Sequence, residues 1–290
     1  MNILLAFDNN YTDYLHPLIR SIAKNVTEYC NIYILHTNLT NKSIKNLKKW
    51  TKKEFKDKAE LIPIVFPKQY VQGLPTSIGN NTWSEEIYFR IFAAYLLPID
   101  RCLYLDGDVI INGNIDRFYN QNLENTSIVA IPNDTQDKNK IRLKMKQEDT
   151  YYNSGVLLMN LEYIRKYWTI GEVQKKLFSM KNSLAYPDQD FINILFKDTI
   201  LRGEIEYNYM VSVAEISNYY PNIKDIKICH YCLEKPWKYR FPYKSDIYYL
   251  KYETSIYKKI ILLLAHRSYR YYQLLTKSSD KRKIRWIFDY

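Results

Sequence analysis

Asp106 and Asp108, separated only by Gly107, close an apolar run that reads Cys102-Leu103-Tyr104-Leu105. Residues two apart on an extended chain point to the same side, so both carboxylates can present oxygens to one point. Two carboxylates that close repel each other unless a cation, a proton or solvent intervenes, and oxygen ligands suit the hard cations Mg²⁺ and Mn²⁺. Gly107 lets the backbone bend and lets a ligand approach closely. The chemistry open to such a group is metal chemistry. The plainer alternative is an acidic turn between two strands, since Asp and Gly are ordinary turn residues.

The surrounding pattern supplies a support for that turn. Residues 101–105 read as a buried strand opening into a loop, and ligands of open α/β sheets sit at the carboxyl ends of strands. Further strands are expected at Ile3-Leu4-Leu5-Ala6-Phe7, Ile32-Tyr33-Ile34-Leu35-His36, Leu61-Ile62-Pro63-Ile64-Val65-Phe66 and Ile128-Val129-Ala130-Ile131. A strand from Tyr152 to Asn160 and a short one ending at His230 complete the set. Between them, Leu15, Leu18, Ile19, Ile22 and Val26 recur at helical spacing, and a basic amphipathic segment runs from Asn41 to Phe55. Strands alternating with helices predict an α/β fold with a mostly parallel sheet. Thr82-Trp83-Ser84-Glu85 fits a capping box, predicting a helix in which Ile87, Ile91 and Tyr95 share a face. On residue type alone Arg90, within that helix, reads as a solvated charge. Pro187-Asp188-Gln189-Asp190 opens another helix, with proline and acids in its first turn. Residues 133–150 are polar and without periodicity, and are expected to form a long loop, functional or disordered.

At 290 residues the chain can bury a sizeable core. Its 29 tyrosines against 7 glycines would suit sugar-stacking surfaces, although a biased source genome gives the same enrichment. Of the net charge of +11, residues 258–290 contribute +7, so an anionic partner, lipid headgroup or nucleic acid, would meet the tail. Met1-Asn2 runs directly into an apolar stretch too short to span a bilayer, so neither a secretory signal nor a membrane span is expected there. Four cysteines without a disulfide framework favour a cytosolic location. Cys229-His230-Tyr231-Cys232 has CxxC spacing but lacks the second pair that zinc would need.

Six separated pieces resemble one family, the retaining bacterial glycosyltransferases of family 8 that include lipopolysaccharide α-galactosyltransferases and α-glucosyltransferases. They are Phe7-Asp8-Asn9-Asn10-Tyr11, Tyr88-Phe89-Arg90, Leu103-Tyr104-Leu105-Asp106-Gly107-Asp108, Tyr152-Asn153-Ser154-Gly155-Val156-Leu157-Leu158-Met159-Asn160-Leu161, Asp188-Gln189-Asp190, and His230-Tyr231-Cys232 with Lys235-Pro236-Trp237. They stand in family order. The resemblance implies a GT-A fold that binds a UDP-sugar and Mn²⁺, with Mg²⁺ as the alternative ion. Asp106, Asp108 and His230 would be the metal ligands, with Gly107 between them, and Arg90 and Lys235 would add positive charge at the diphosphate. Asp8, Asn10 and Tyr11 would hold uridine and ribose. Arg90, Asn153, Asp188 and Gln189 would surround the donor sugar, and Tyr186 would lie on the acceptor side. Because Gln189 is an amide rather than the carboxylate nucleophile usual in retaining hydrolases, a same-face mechanism is expected. Family members commonly carry a glycine shortly after the histidine, where this chain has Leu233-Glu234.

The organisation expected is a catalytic domain over residues 1–245 and a basic, aromatic-rich segment over 246–290 that lies on an anionic membrane surface, the alternative being a terminal helix packed on the body with a solvated basic face. The partners would be UDP-galactose or UDP-glucose and a lipooligosaccharide acceptor, at the cytoplasmic face of the inner membrane, with no nucleic acid. The same carboxylates would also serve a metal-dependent phosphodiesterase or nucleotidyltransferase, and the basic tail alone would serve a nucleic-acid-binding module.

Overall fold

The computed structural model describes residues 1–78, 81–133, 137–217, 225–238 and 245–265. In chain order its main strands are β1 (Asn2–Ala6), β2 (Cys30–His36), β3 (Ala59–Val65), β4 (Arg101–Leu105), β5 (Val109–Ile111), β6 (Ile128–Pro132), β7 (Tyr152–Asn160), β8 (Ile200–Arg202), β9 (Tyr209–Met210) and β10 (Ile228–His230). Seven of them form one sheet in the order β8-β6-β7-β4-β1-β2-β3. Every pairing is parallel except that β7 runs antiparallel to both β4 and β6. Pleating divides the core in two. Leu103 and Leu105 join Ile3, Leu5, Ile32 and Val156 on one face, while Cys102 and Tyr104 join Leu4, Leu35 and Leu157 on the other. With both faces covered, the central strands carry unbroken apolar runs rather than an alternating pattern.

Helices α1 (His16–Asn25) and α2 (Asn41–Phe55) cover the first face through Leu18, Ile22, Leu47 and Phe55. After the polar segment that holds α3 (Asp137–Arg142), the opposite face is covered by α4 (Ile170–Met180) and α5 (Pro187–Leu195). A second, three-stranded sheet, β9-β10-β5, sits at the end of β4. Here β10 pairs antiparallel with β5, placing His230 opposite Val109, the neighbour of Asp108. The backbone N–H of Tyr231 donates to the Asp108 carbonyl at 3.0 Å, which fastens the acidic turn to β10.

Two expectations change. The capping box at Thr82 does not form: Thr82 pairs with Ser77 in a short hairpin, and residues Glu85–Phe92 form a 3₁₀ helix with Ser84 at its N-cap and no side-chain cap. Ile87, Ile91 and Tyr95 nonetheless pack against the same part of the core. This segment is apolar on nearly every side, and Arg90 is buried rather than solvated. The polar stretch at 133–150 also contains α3, which periodicity missed because it is anchored by polar contacts; Arg142 bonds Asp190.

Near the end of the described chain, α6 (Asp246–Tyr252) and a helical stretch at 256–265 lie against the body. Tyr249, Tyr252 and Leu262 are buried with Ile110, Tyr231 and Val211. Ile256, Tyr257, Ile260, Leu263 and Leu264 face outward. The rest of the basic tail, residues 266–290, lies outside the described residues. Among the described residues no helix is long and apolar enough to cross a membrane.

Candidate active site

Asp106, at the end of β4, Asp108, in the turn that follows, and His230, at the end of β10, each offer an atom within 4.8 Å of the others. His230 Nε2 lies 3.3 Å from Asp108 Oδ1 and 3.7 Å from Asp106 Oδ2. Asp108 Oδ1 is buried and makes no hydrogen bond. Its other oxygen meets the Lys235 ammonium, which also donates to the Tyr231 carbonyl at 2.6 Å. Burial opposes the charge on Asp108, but Lys235 and then His230 outweigh it and hold the carboxyl below its usual range. Two oxygens and one imidazole nitrogen, with an unpartnered carboxylate oxygen turned toward the nitrogen, form a donor set that fits a divalent cation.

Space for this cluster depends on two glycines. A Cβ on Gly155 would collide with the His230 ring and stand 2.7 Å from Asp106 Oδ2. One on Gly107 would meet the Tyr11 ring at 2.7 Å.

Arg90 is the hub beside the acids. Its Nη2 lies 2.9 Å from Asp106 and its Nη1 3.2 Å from Asp188, and its guanidinium lies 4.3 Å from the centre of the Tyr104 ring. It also donates to the Ser154 carbonyl at 2.8 Å. Burial would lower its pKa; Asp106, Tyr104 and Asp188 more than offset that and raise it. Asp188 moves the other way, raised chiefly by burial although Arg90 opposes the shift.

A chain of amides joins His230 to the first turn of α5. Backbone N–H groups fix which end of each amide is oxygen, since they can only donate. The Ser154 N–H meets Gln189 Oε1 at 3.2 Å and the Gly155 N–H meets Asn153 Oδ1 at 2.9 Å. Asn153 Nδ2 therefore donates to Gln189 Oε1 at 2.9 Å, and Asn208 Nδ2 donates to Asn153 Oδ1 at 2.8 Å. This leaves Asn208 Oδ1 facing His230 Nδ1 at 2.9 Å, so Nδ1 carries a hydrogen and Nε2 is the nitrogen that faces Asp106 and Asp108.

On the opposite side, Asp8 caps the turn Asn9–Tyr14 by accepting from the Tyr11 N–H, and Asn10 Nδ2 donates to its second oxygen at 3.1 Å. Trp237 stacks on Tyr14 at 5.1 Å and meets Tyr11 edge-on at 5.9 Å, joining this turn to the segment that carries Lys235. Tyr186 stands half exposed at the N-cap of α5.

Residues 2–240 match glycosyl transferase family 8. The chain belongs to this family. The lipopolysaccharide 1,2-glucosyltransferase of Escherichia coli K12 is 30% identical over 86% of this chain and 76% of its own. Glycosyltransferase GlyB of Streptococcus pneumoniae is 24% identical over 82% of this chain, which spans 57% of GlyB. Among solved structures, the galactosyltransferase LgtC, in complex with donor and acceptor sugar analogues, superposes with a TM-score of 0.69 at 23% identity, covering 82% of this chain and 89% of LgtC. GlyE of S. pneumoniae superposes at 0.66 with 18% identity, covering 92% of this chain and 64% of GlyE. The fold is GT-A, and this member of the family is an enzyme, a retaining glycosyltransferase.

The structure draws Asp106, Gly107, Asp108, His230, Lys235 and Arg90 into one group, with Asn153, Asp188 and Gln189 beside it and Asp8, Asn10 and Tyr11 across Gly107. Three neighbours carry no sequence signal of their own, Asn208, Tyr151 and Arg142, while Tyr104 stands within the Leu103–Asp108 motif and reads there only as a strand residue. Asp190 was visible within the Asp188-Gln189-Asp190 motif, yet its type suggests only a helix-start acid.

Proposed function

We propose that this transferase moves a hexose from UDP-glucose or UDP-galactose to a saccharide acceptor of the lipopolysaccharide or lipooligosaccharide core, with Mn²⁺ as its ion. The observation that carries the reading is the convergence of Asp106, Asp108 and His230 between two cations, Arg90 and Lys235. A nucleoside diphosphate is the leaving group such a cluster suits. Asp106, Asp108 and His230 would hold the ion, which supplies Lewis acidity at the diphosphate when bound. Lys235, tethered by the Tyr231 carbonyl, would neutralise further phosphate charge once its contact with Asp108 is shared with a donor. Asp8, Asn10 and Tyr11 would receive uridine and ribose. Arg90, held by Asp106 and Asp188, would orient donor hydroxyls and keep Asp188 in place.

Gln189 is the group assigned to the anomeric centre. An amide oxygen is a weak nucleophile but stabilises positive charge, so the hexose passes through an ion-pair transition state on one face. The departing phosphate oxygen then takes the proton of the acceptor hydroxyl. Tyr186 and α3 border the acceptor side.

The exposed apolar residues at 256–264, with the cavity of about 560 Å³ lined by Ile247, Leu250, Lys251, Lys259 and Leu263, support contact with an anionic membrane surface on the cytoplasmic side. The buried residues Tyr249, Tyr252 and Leu262 are better regarded as an anchor for that segment on the body.

The deciding experiment is UDP release from a panel of UDP-sugars, with Mn²⁺ and with EDTA, for the intact protein and Asp108→Ala. Selective, Mn²⁺-dependent release from one UDP-hexose, abolished by the substitution, is the expected result and names the donor. No release, together with no binding of UDP and Mn²⁺, withdraws the reading.

A further inference from the structure

The polar chain continues past Gln189. Gln189 Nε2 donates to Tyr151 Oη at 2.9 Å, and Tyr151 Oη donates to Asp190 Oδ1 at 2.6 Å. Asp190 is fully buried, and Arg142 grips both its oxygens at 2.8 Å. The backbone N–H groups of Ala185 and Tyr186 add two more bonds to Oδ2, at 2.7 and 2.9 Å. Arg142 comes from α3, on a different segment from every other member of the site.

Charge fixes the direction of this chain. A carboxylate held in a guanidinium fork and by two backbone N–H groups can only accept. Tyr151 must therefore direct its single hydrogen to Asp190, and its oxygen can receive only a donor, the Gln189 NH₂. Burial, reinforced by the charge of Asp190, holds the Tyr151 phenol above the ordinary tyrosine range, so that hydrogen is present throughout the working pH range. A flipped Gln189 would place an NH₂ against NH₂ and N–H groups at Asn153 and Ser154. It would also turn its positive end toward a centre that becomes positive in the transition state.

We infer that Arg142, Asp190 and Tyr151 form a positioning relay for Gln189, holding its amide oxygen toward the donor sugar and polarising it so that this oxygen carries more negative charge. The inference rests on the assignment of Gln189 under Proposed function. Arg142 is a positioning residue, acting through Asp190 and Tyr151. Aligned hydrogen bonds in a buried network strengthen one another, which is how a carboxylate two bonds away can act on an amide.

The test uses the full chain and whichever of UDP-glucose or UDP-galactose it turns over with Mn²⁺. Tyr151→Phe removes the middle hydroxyl, and Arg142→Ala removes the fork from a side chain that remains 28% exposed. Each is expected to lower kcat about tenfold, the scale of one buried hydrogen bond, with KM for the donor and calorimetric binding of UDP and Mn²⁺ within about twofold. The double variant should fall little further than the worse single, because both cut one relay. Millimolar guanidinium should restore part of the kcat of Arg142→Ala and none of that of Tyr151→Phe. Retention of kcat within twofold in both singles, or a double-variant loss equal to the product of the singles, overturns the relay. If the intact protein releases UDP from no donor, the transferase reading fails by itself. The relay is then judged by hydrogen exchange of the Gln189 side-chain NH₂ in ¹⁵N-glutamine-labelled protein. Protection in the intact chain that is lost in Tyr151→Phe sustains it, and equal exchange in both overturns it.

Discussion

The metal-side half of the site and the Gln189 half differ in how much each leaves unfinished. At Asp106, Asp108 and His230 the side chains are charged or face a charge, the imidazole stands between two carboxylates, and one carboxylate oxygen makes no hydrogen bond. At Asn153, Gln189 and Asn208 the groups are neutral and buried, and every amide oxygen meets at least one donor. The difference teaches where ligand free energy is expected to enter. The first half is completed by what binds, whereas the second is complete beforehand and has only to hold still. The bond from Asn208 to His230 is where they meet.

Collapsing the unfinished half should have the largest effect. Gly155→Ala puts a methyl group between the His230 ring and Asp106 Oδ2, inside the space the ion would use. Mn²⁺ affinity measured by calorimetry should fall by at least about 100-fold, beyond the usual loss from altering a group behind a ligand. Preserved affinity would mean that the three ligand atoms do not share one ion. Cutting the junction should cost less. Asn208→Ala releases the Nδ1 side of His230, and loss of such a supporting partner typically lowers metal affinity about 10- to 100-fold. An unchanged affinity would separate the halves that the structure joins.

The smallest expected effect concerns acid stability of the metal-free protein. Asp108 has a folded-state pKa depressed below its unfolded value, so its ion pair contributes stability above about pH 4, the ordinary carboxyl range, and that contribution is lost as the pH falls through the folded value. Urea unfolding of Asp108→Asn against the intact chain should therefore show a deficit at pH 6 that narrows toward pH 3. A deficit independent of pH would assign the stabilising role of Asp108 to packing.

How much of this was legible varied residue by residue. Asp106, Asp108 and His230 stand at strand ends, and strands announce themselves by apolar runs, so type and place agreed. The sheet was legible as mostly parallel, but the antiparallel course of β7 was not, because residue pattern carries no strand direction. Arg90 was misread on type alone, since a 3₁₀ segment apolar on nearly all sides leaves no solvent face for it; only the family resemblance placed it near the donor. Arg142 was hidden inside a polar stretch whose order comes from Asp190, 48 residues away. Asn208 gives no local sign, because a buried amide is recognised only by the groups it bridges.

The fastening of β10 onto β5 also bears on how the enzyme comes into being. Lys235 and Asp108 are 127 residues apart in the chain. Synthesis proceeds from the N-terminus, so the strand that delivers His230 leaves the ribosome long after the two carboxylates. Until then the nascent chain has both acids but neither the imidazole nor the ammonium that stands against them. The cluster is complete only once β10 has paired with β5.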